Sequence, residues 1–599
     1  VVLLAVFIPV SFTGGITGRL FQQFSVTIAV SVVISAFNAL TLSPALCALL
    51  LRRREPPKKG FFAAFNRWFA RRMDKYTAFT PTLIRHVART GVFIAAVLAV
   101  IFLVWRKLPA GFLPEEDQGY VMVMVSTPEA SSLQVTQKAM IRADEVIRTL
   151  PEVASTSFAA GFNMMAGIAS TDSGIIFVSL VGYSDRKLTA MEIAQKLTDE
   201  LYMAVPGAEC FAFIPPSIPG LGITSGVSVE VQDLEGRGTA YLLEQSERLM
   251  DSLRKLPSVA SVTTQFNAGV PQRRLRIDKE QALASGVDLG VLYGDLTTLL
   301  GGAYVNNFSR FGKLYQTYIQ AAPAYRMDKR SLDSYYVASS SGESVPVSSL
   351  VEVVDTVGVE YVSQFNLYRS IGLTVTPAAR TSTTTVMQDI TRTAAQVLPD
   401  DVGTAWSGTS FQEANASKTG GLVYLLALVF VFLALAALYE SWGLPLAILM
   451  SVPVAVLGAV LFIGVSHLLN AFYVNDIYMQ ISLVMLIGLA AKNAILVVEY
   501  ADRLFNEQGA SLMDAAIGAA KLRVRPIIMT AFAFILGVMP LIFASGVYAT
   551  ARNIMGVALV GGMLFATLLG IFVYPALYYF VGRIGGFERR RERKKQEQS

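Results

Sequence analysis

Residues 481–498 read ISLVMLIGLAAKNAILVV, an apolar run of membrane-spanning length interrupted by one cation, Lys492, and its neighbour Asn493. Gly488, Ala490, Ala491 and Ala494 are small enough to let other helices approach closely. A charge at membrane depth is costly, so it marks a functional position whose partner has to be named. The alternative is snorkelling. Glu499 closes the run two helical turns later, about 10 Å along the axis, and a lysine stem covers much of that distance.

Outward from this segment, runs long enough to span a bilayer lie at 24–51, 88–105, 421–439, 444–464, 477–498, 526–545 and 554–581, with a partial run at 1–12. Hydrophobic residues make up 53% of the 599 and charged residues 16%, and the mean hydropathy is +0.49. The middle of the chain nevertheless reads as ordinary soluble sequence, which predicts a multi-pass membrane protein with a large water-soluble part. The chain opens without an initiator Met, a charged n-region or a cleavage site, so its start reads as the interior of a longer pattern and not as a signal peptide.

Several function classes are excluded. Cys47 and Cys210 make no disulfide framework, and His86 and His467 form no cluster with metal-ligand spacing. There is no GxxxxGK[ST] loop for ATP and no nucleophile–base–orienter set for an enzyme, and no cofactor is expected. The net charge of +6 sits mostly at membrane edges and needs no nucleic acid to explain it.

Those edges orient the chain. Arg52, Arg53, Arg54, Lys58 and Lys59 follow one run, Arg503, Lys521, Arg523 and Arg525 lie between two others, and the tail carries Arg589, Arg590, Arg591, Arg593, Lys594 and Lys595. Placing all three regions in the cytoplasm satisfies the positive-inside rule with one alternation of helices. That alternation exports residues from about 108 to 413 to the other side. In GFFAAFNRWFARRMDKYTAF (60–79), Phe61, Phe62, Phe65, Trp68 and Phe69 interleave with Arg67, Arg71, Arg72 and Lys75 at helical spacing. An interfacial helix on the cytoplasmic surface fits this pattern better than a helix binding a soluble partner.

The two ends of the chain repeat each other. Pro9 and Pro44 recur as Pro540 and Pro575, both at an offset of 531 (540 − 9 and 575 − 44), and LSPALCALL matches VYPALYYFV around the second pair. Subtracting 531 from 492 gives a position before residue 1, so the counterpart of the Lys492 helix is expected in an earlier half. The exported region repeats as well. GYVMVMV (119–125) and GVSVEV (226–231) are alternating, strand-like runs. Each is followed by a helix pattern and then by LPEVAS (150–155) or LPSVAS (256–261), at an offset of 106 (256 − 150). Strand–helix–strand units of this size predict small split βαβ subdomains, the second interrupted from about 274 to 362. The alternative is a single larger α/β domain.

GLAAKNAILVVE (488–499), LAALYESW (435–442), RVRPIIMTAFAFILGVMPL (523–541), FLPEEDQGY (112–120) and SPALCALLLR (43–52) closely resemble the resistance–nodulation–division (RND) exporters, in their hydrophobe/amphiphile multidrug branch. The resemblance runs along essentially the whole chain, in register with the family's second half plus the last two helices of its first. It implies a multi-pass α-helical protein of the bacterial inner membrane with a large periplasmic α+β insertion of ferredoxin-like porter subdomains plus a docking subdomain. The partition is 1–51 (one partial and one full transmembrane helix), 52–87 (cytoplasmic linker), 88–107 (transmembrane helix), 108–225 (porter), 226–273 with 365–415 (porter in two parts), 274–364 (docking), 420–582 (five transmembrane helices) and 583–599 (basic cytoplasmic tail).

By the same resemblance the intact protein is a homotrimer exchanging amphiphilic drugs, dyes and detergents for protons, with a periplasmic adaptor protein and an outer-membrane channel. The lysine matching Lys492 pairs there with two adjacent aspartates on a first-half helix. Asn493, Arg523 and Thr530 match further relay positions. Read alone, Arg523 is equally a positive-inside anchor, and Thr530 a helix-packing hydroxyl bonded to its own backbone. No aspartate pair lies in any membrane run of this sequence, so the isolated polypeptide is expected not to couple protons.

Substrate positions implied by the resemblance are Met122, Met124, Phe162, Phe177, Phe211 and Phe213. Phe and Met surfaces suit a promiscuous pocket, although each residue singly reads more readily as core. Phe162 lies in GFNMMAGIASTDSG (161–174), whose glycines Gly161, Gly167 and Gly174 are expected to allow motion, and Met164-Met165 departs from the usual drug-exporter loop. The competing readings are a heavy-metal exporter of the same fold, using methionines for a soft cation, and a non-transporting membrane receptor or protein-export auxiliary.

Overall fold

The computed structural model describes residues 2–587 apart from 13, 52–59, 86, 219, 223, 379 and 380. The basic group Arg52, Arg53, Arg54, Lys58 and Lys59, the tail arginines and lysines from Arg589 onward, and His86 therefore lie outside the described residues.

Five helices open the chain: α1 (Val2–Val10), α2 (Gly15–Leu40), α3 (Leu42–Leu50), α4 (Phe61–Ile84) and α5 (Val87–Lys107). Helix α4 divides its surface as an interfacial helix does. Ala63, Thr80 and Ile84 are buried, and the Tyr76 hydroxyl donates to the Ile571 carbonyl at 2.7 Å, while Phe61, Phe62, Phe65 and Trp68 stay exposed.

The sheet-bearing part then begins with β1 (Tyr120–Ser126), α6 (Leu133–Ile147), β2 (Val153–Asn163), β3 (Ile168–Leu180), α7 (Ala190–Ala204) and β4 (Glu209–Phe213). These form one antiparallel sheet of order β2-β3-β1-β4. Alternation along β1 sends Val121, Val123 and Val125 to the face covered by α6 and α7, where they pack with Met140, Ile147, Ile193 and Leu197. Helix α7 is fixed at its start by a capping box in which Thr189 and Glu192 satisfy each other's backbone N–H.

A second unit repeats the plan: β5 (Val227–Asp233), α8 (Thr239–Leu253) and β6 (Val259–Thr264), then, after an insertion, a further strand, helix and strand. The insertion holds β7 (Val270–Ile277), α9 (Lys279–Ala284), α10 (Leu289–Leu296), β8 (Ala303–Arg310), β9 (Lys313–Ile319), β10 (Tyr336–Ala338), β11 (Ser344–Pro346), β12 (Val351–Gly358) and β13 (Ser363–Phe365), with its own core around Leu292, Leu332 and Val337. Strand β14 (Tyr368–Pro377) lies between β5 and β6, and after α11 (Thr383–Val397) strand β15 (Val402–Trp406) takes the far side of β5. The order β6-β14-β5-β15 is thus the order of the first sheet, with the same strand–helix–strand, strand–helix–strand connectivity. The insertion enters where the first unit has only its β2–β3 hairpin.

The chain returns through α12 (Gly408–Tyr439), whose last part carries the run expected at 421–439. The run expected at 444–464 is bent into α13 (Gly443–Leu449) and α14 (Val452–Leu469), with Pro453 in the first turn of α14, where its missing N–H has no intrahelical partner to lose. Helices α15 (Ile477–Asn506), α16 (Leu512–Ile542), α17 (Ala549–Leu568) and α18 (Gly570–Ile584) follow. The run expected as one span at 554–581 is divided between α17 and α18. Among the described residues six helical stretches are long and apolar enough to cross a membrane. The repeated prolines fall at matching places: Pro9 in α1 and Pro540 in α16, Pro44 in α3 and Pro575 in α18.

Helices α14, α15 and α17 are the buried centre of the membrane part, whereas α2, α5 and α16 are covered on little of their surface. Glycines set the central contacts. A side chain at Gly458 of α14 would meet the backbone carbonyl of Gly561 on α17, and one at Gly562 would meet Leu486 of α15.

Candidate functional site

Two groups of residues stand out, one on the first sheet and one on α15. The β1 register places Met122 opposite Phe177 of β3 and Phe213 of β4, and Met124 opposite Ile175 of β3 and Phe211 of β4. Because side chains alternate across a strand, these six project from one face of the sheet, opposite the face covered by α6 and α7. Phe211 and Phe213 stack with ring centroids 5.8 Å apart. Met164 and Met165 from the β2–β3 loop close over Met122, Met124, Ile175 and Phe213. Phe177 and Phe211 remain 38% and 51% exposed, so their rings are available to a ligand, whereas Met122, Met124 and Phe213 form the floor.

Five of the six expected residues are thus neighbours. Phe162 is paired with Ala169 at the neck of the hairpin, 40% exposed and outside this apolar group. Ile175 was missed by the motif match, although alternation from Phe177 reaches it. The glycines of the hairpin differ in role. Gly161 and Gly167 have positive φ values of 88° and 71°, which glycine adopts without strain. Gly174 does not serve motion. A Cβ there would land on the Met140 side chain and 3.0 Å from the Ala159 carbonyl, so it admits α6 to the sheet.

The second group is on α15, which is buried along most of its length. Its open stripe runs through Met485, Leu489, Lys492, Leu496, Glu499 and Arg503, spaced as one face of a helix. Lys492 is exposed on this stripe and makes no ion pair among the described residues. Asn493, one position on, points the other way. It is 2% exposed, its Nδ2 has no hydrogen-bond partner, and it neighbours the Tyr574 hydroxyl of α18. Successive helical residues project about 100° apart, so Lys492 and Asn493 do not share a face.

Arg523 and Thr530 stand two turns apart on α16. The Arg523 guanidinium lies over the Tyr500 ring of α15, 4.9 Å from its centroid, while its Nε is buried without a partner. This contact ties α16 to α15, and Tyr500 was not singled out in the sequence. Thr530 is exposed and donates to the Ile527 carbonyl at 3.1 Å, the helix-backbone bond that its sequence position alone suggested.

The profile of the AcrB/AcrD/AcrF family matches residues 1–582. The chain is 37% identical over 596 residues to a toluene efflux pump membrane transporter, TtgB, of Pseudomonas putida, covering 98% of this chain and 56% of that protein. It is 35% identical to the multidrug resistance protein MdtF of Escherichia coli (strain K12), over 97% of this chain and 56% of that one. It is 34% identical to the multidrug export protein AcrF of the same strain, with the same two coverages. The chain spans about half the length of the curated relatives it matches. A profile match along nearly the whole sequence, on multi-pass apolar helices and two repeated sheet units, makes this chain a member of the AcrB/AcrD/AcrF family of RND multidrug efflux transporters.

Proposed function

We propose that the intact protein exports amphiphilic compounds from the periplasm or the membrane by proton antiport, and that this chain supplies half of its binding surface and one half of its proton switch. The observation that carries the reading is the Met/Phe sheet face. A floor of Met122, Met124 and Phe213 beneath the accessible rings of Phe177 and Phe211 offers soft, adaptable contacts without a fixed hydrogen-bonding pattern. Such a surface accepts ligands by size and apolarity, as multidrug export requires. The relatives are named for toluene, multidrug and solvent efflux, which favours this reading over heavy-metal export.

In this reading the two repeated units are ferredoxin-like porter subdomains in the periplasm, and the insertion between β6 and β14 is the docking subdomain that engages an adaptor and an outer-membrane channel. The protein works as a homotrimer in the bacterial inner membrane. Lys492 faces the adjacent aspartates of a first-half helix. Ionised, they attract it. Protonated, they release it, and α15 settles in a second position. Arg523 and Thr530 line the proton route on α16. Low dielectric makes the difference between paired and unpaired charge large enough to move a helix.

Phe177→Ala and Phe211→Ala in the full-length protein are expected to change the profile of tolerated dyes and antibiotics by about tenfold, the cost of one large aromatic contact, at unchanged expression. Copper and silver tolerance should not move. A change confined to metal tolerance would reverse the assignment.

A further inference from the structure

The segment between α5 and β1 is held by more partners than a connector needs. Asn475, just before α15, donates its N–H to the Pro109 carbonyl at 2.9 Å, and its carbonyl accepts from the Gly111 N–H at 3.2 Å. Ile477, the first residue of α15, donates to the Phe112 carbonyl at 3.2 Å. Further along, the buried Glu116 carboxylate accepts from the N–H groups of Thr550 at 3.2 Å and Ala551 at 2.7 Å, in the first turn of α17. Helix α17 has no cap of its own, since Tyr548 stands at its N-cap in the left-handed region without a side-chain bond. Glu116 thus satisfies from outside the donors that a helix start leaves open, and its negative charge suits that end of the helix dipole.

The next residue faces the other way. Asp117 accepts from Arg186 Nη2 at 2.7 Å and from the Ala190 N–H at 2.8 Å at the start of α7, and its carbonyl accepts from the Tyr183 hydroxyl at 2.6 Å. Adjacent carboxylates therefore hold a membrane helix on one side and the first exported unit on the other. Pro109 and Pro114 restrict the backbone between these contacts. In the membrane, α17 rests on the helix that carries Lys492, with Leu486 of α15 filling the space left by Gly562.

We propose that residues 109–118 are the joint that passes displacement of α15 and α17 to the Met/Phe sheet, with Glu116 as its positioning residue. The inference rests on the proton-antiport reading above. A shift of α15 moves the start of the segment through Asn475 and Ile477, and moves α17 against Glu116. Asp117 conveys both to α7 and hence to β4, which carries Phe211 and Phe213. A joint needs stiffness and contacts on both sides, and this segment has both.

The test uses the full-length protein in lipid, spin-labelled at Arg503 and Arg583 on the membrane helices or at Arg142 and Arg248 on the two exported units, with labelled protein diluted by unlabelled. Distances are measured at low and high pH beside dye export. Wild type is expected to change both distances with pH. Glu116→Ala should keep the membrane change, lose the exported one and export about tenfold less. Glu116→Gln retains one acceptor oxygen and should recover part of both, which a merely misfolded variant would not. An exported distance that still responds in Glu116→Ala overturns the joint. Lys492→Ala separates the two ideas. If its membrane pair still responds to pH, the proton switch is wrong, whereas loss of both changes leaves the joint to be judged on Glu116 alone.

Discussion

At the scale of single residues, Asp117 shows how a contact invisible in sequence sets pH behaviour. Partial burial pushes its carboxyl up, but the hydrogen bonds from Arg186 and from the N–H groups of Ala190 and Gly119, with the Arg186 charge, outweigh burial and hold it below the ordinary 3.8. A carboxyl depressed in the folded state stabilises the fold above its unfolded value. That contribution is lost as pH falls from about 3.8 through the folded value. Asp117→Asn is therefore expected to cost about 2 kcal/mol at pH 7. The difference in melting temperature from wild type should shrink as the pH is lowered below 4. A difference that stays constant across that range would show that the charge contributes nothing. Arg186 lies 69 residues away in sequence, so no local pattern announces the pair. The Met/Phe face was readable in outline for the opposite reason. Alternation along one strand fixes Met122 and Met124 on a common face, but placing Phe177, Phe211 and Phe213 beside them needed either the family resemblance or the observed register. Lys492 stood out because a charge at membrane depth is expensive, and Asn493 beside it could not be assigned a direction until neighbouring helices were in place.

At the scale of elements, helix existence was legible from apolar runs and helix division was not. Pro453 falls inside a run that reads as one span, and only the bend at 450–451 separates α13 from α14. The same holds for α17 and α18, which divide at Leu569 within a continuous apolar stretch. Glycines were the least readable. Gly174 in a flexible-looking loop serves packing, and Gly458 in an ordinary apolar helix is where α14 meets the backbone of α17. Gly458→Ala is expected to force these two helices apart, because its new methyl meets the Gly561 carbonyl and not the yielding end of a side chain. Overpacking of this kind costs about 1–3 kcal/mol, read as a lower melting temperature of the detergent-solubilised protein. An unchanged melting temperature would mean that the helices already stand further apart than this packing requires.

At the scale of the molecule, the repeats supplied the organisation. The offset of 106 between the helical ends corresponds to two sheets of the same order and connectivity, and the large insertion takes the place of a hairpin in the second. The offset of 531 puts matching prolines in matching helices at the two ends. What sequence periodicity could not supply is the proposed joint at 109–118, because its partners come from α7, α15 and α17 and meet only when the helical and sheet-bearing parts are assembled. We propose that Lys492 couples proton movement to export in the intact protein. The most direct measurement is dye extrusion by the full-length protein in proteoliposomes under an imposed pH gradient, comparing wild type with Lys492→Ala at equal reconstitution. Gradient-dependent export by wild type and none by the variant, with assembly intact, is the predicted result. Wild-type export by Lys492→Ala would contradict it.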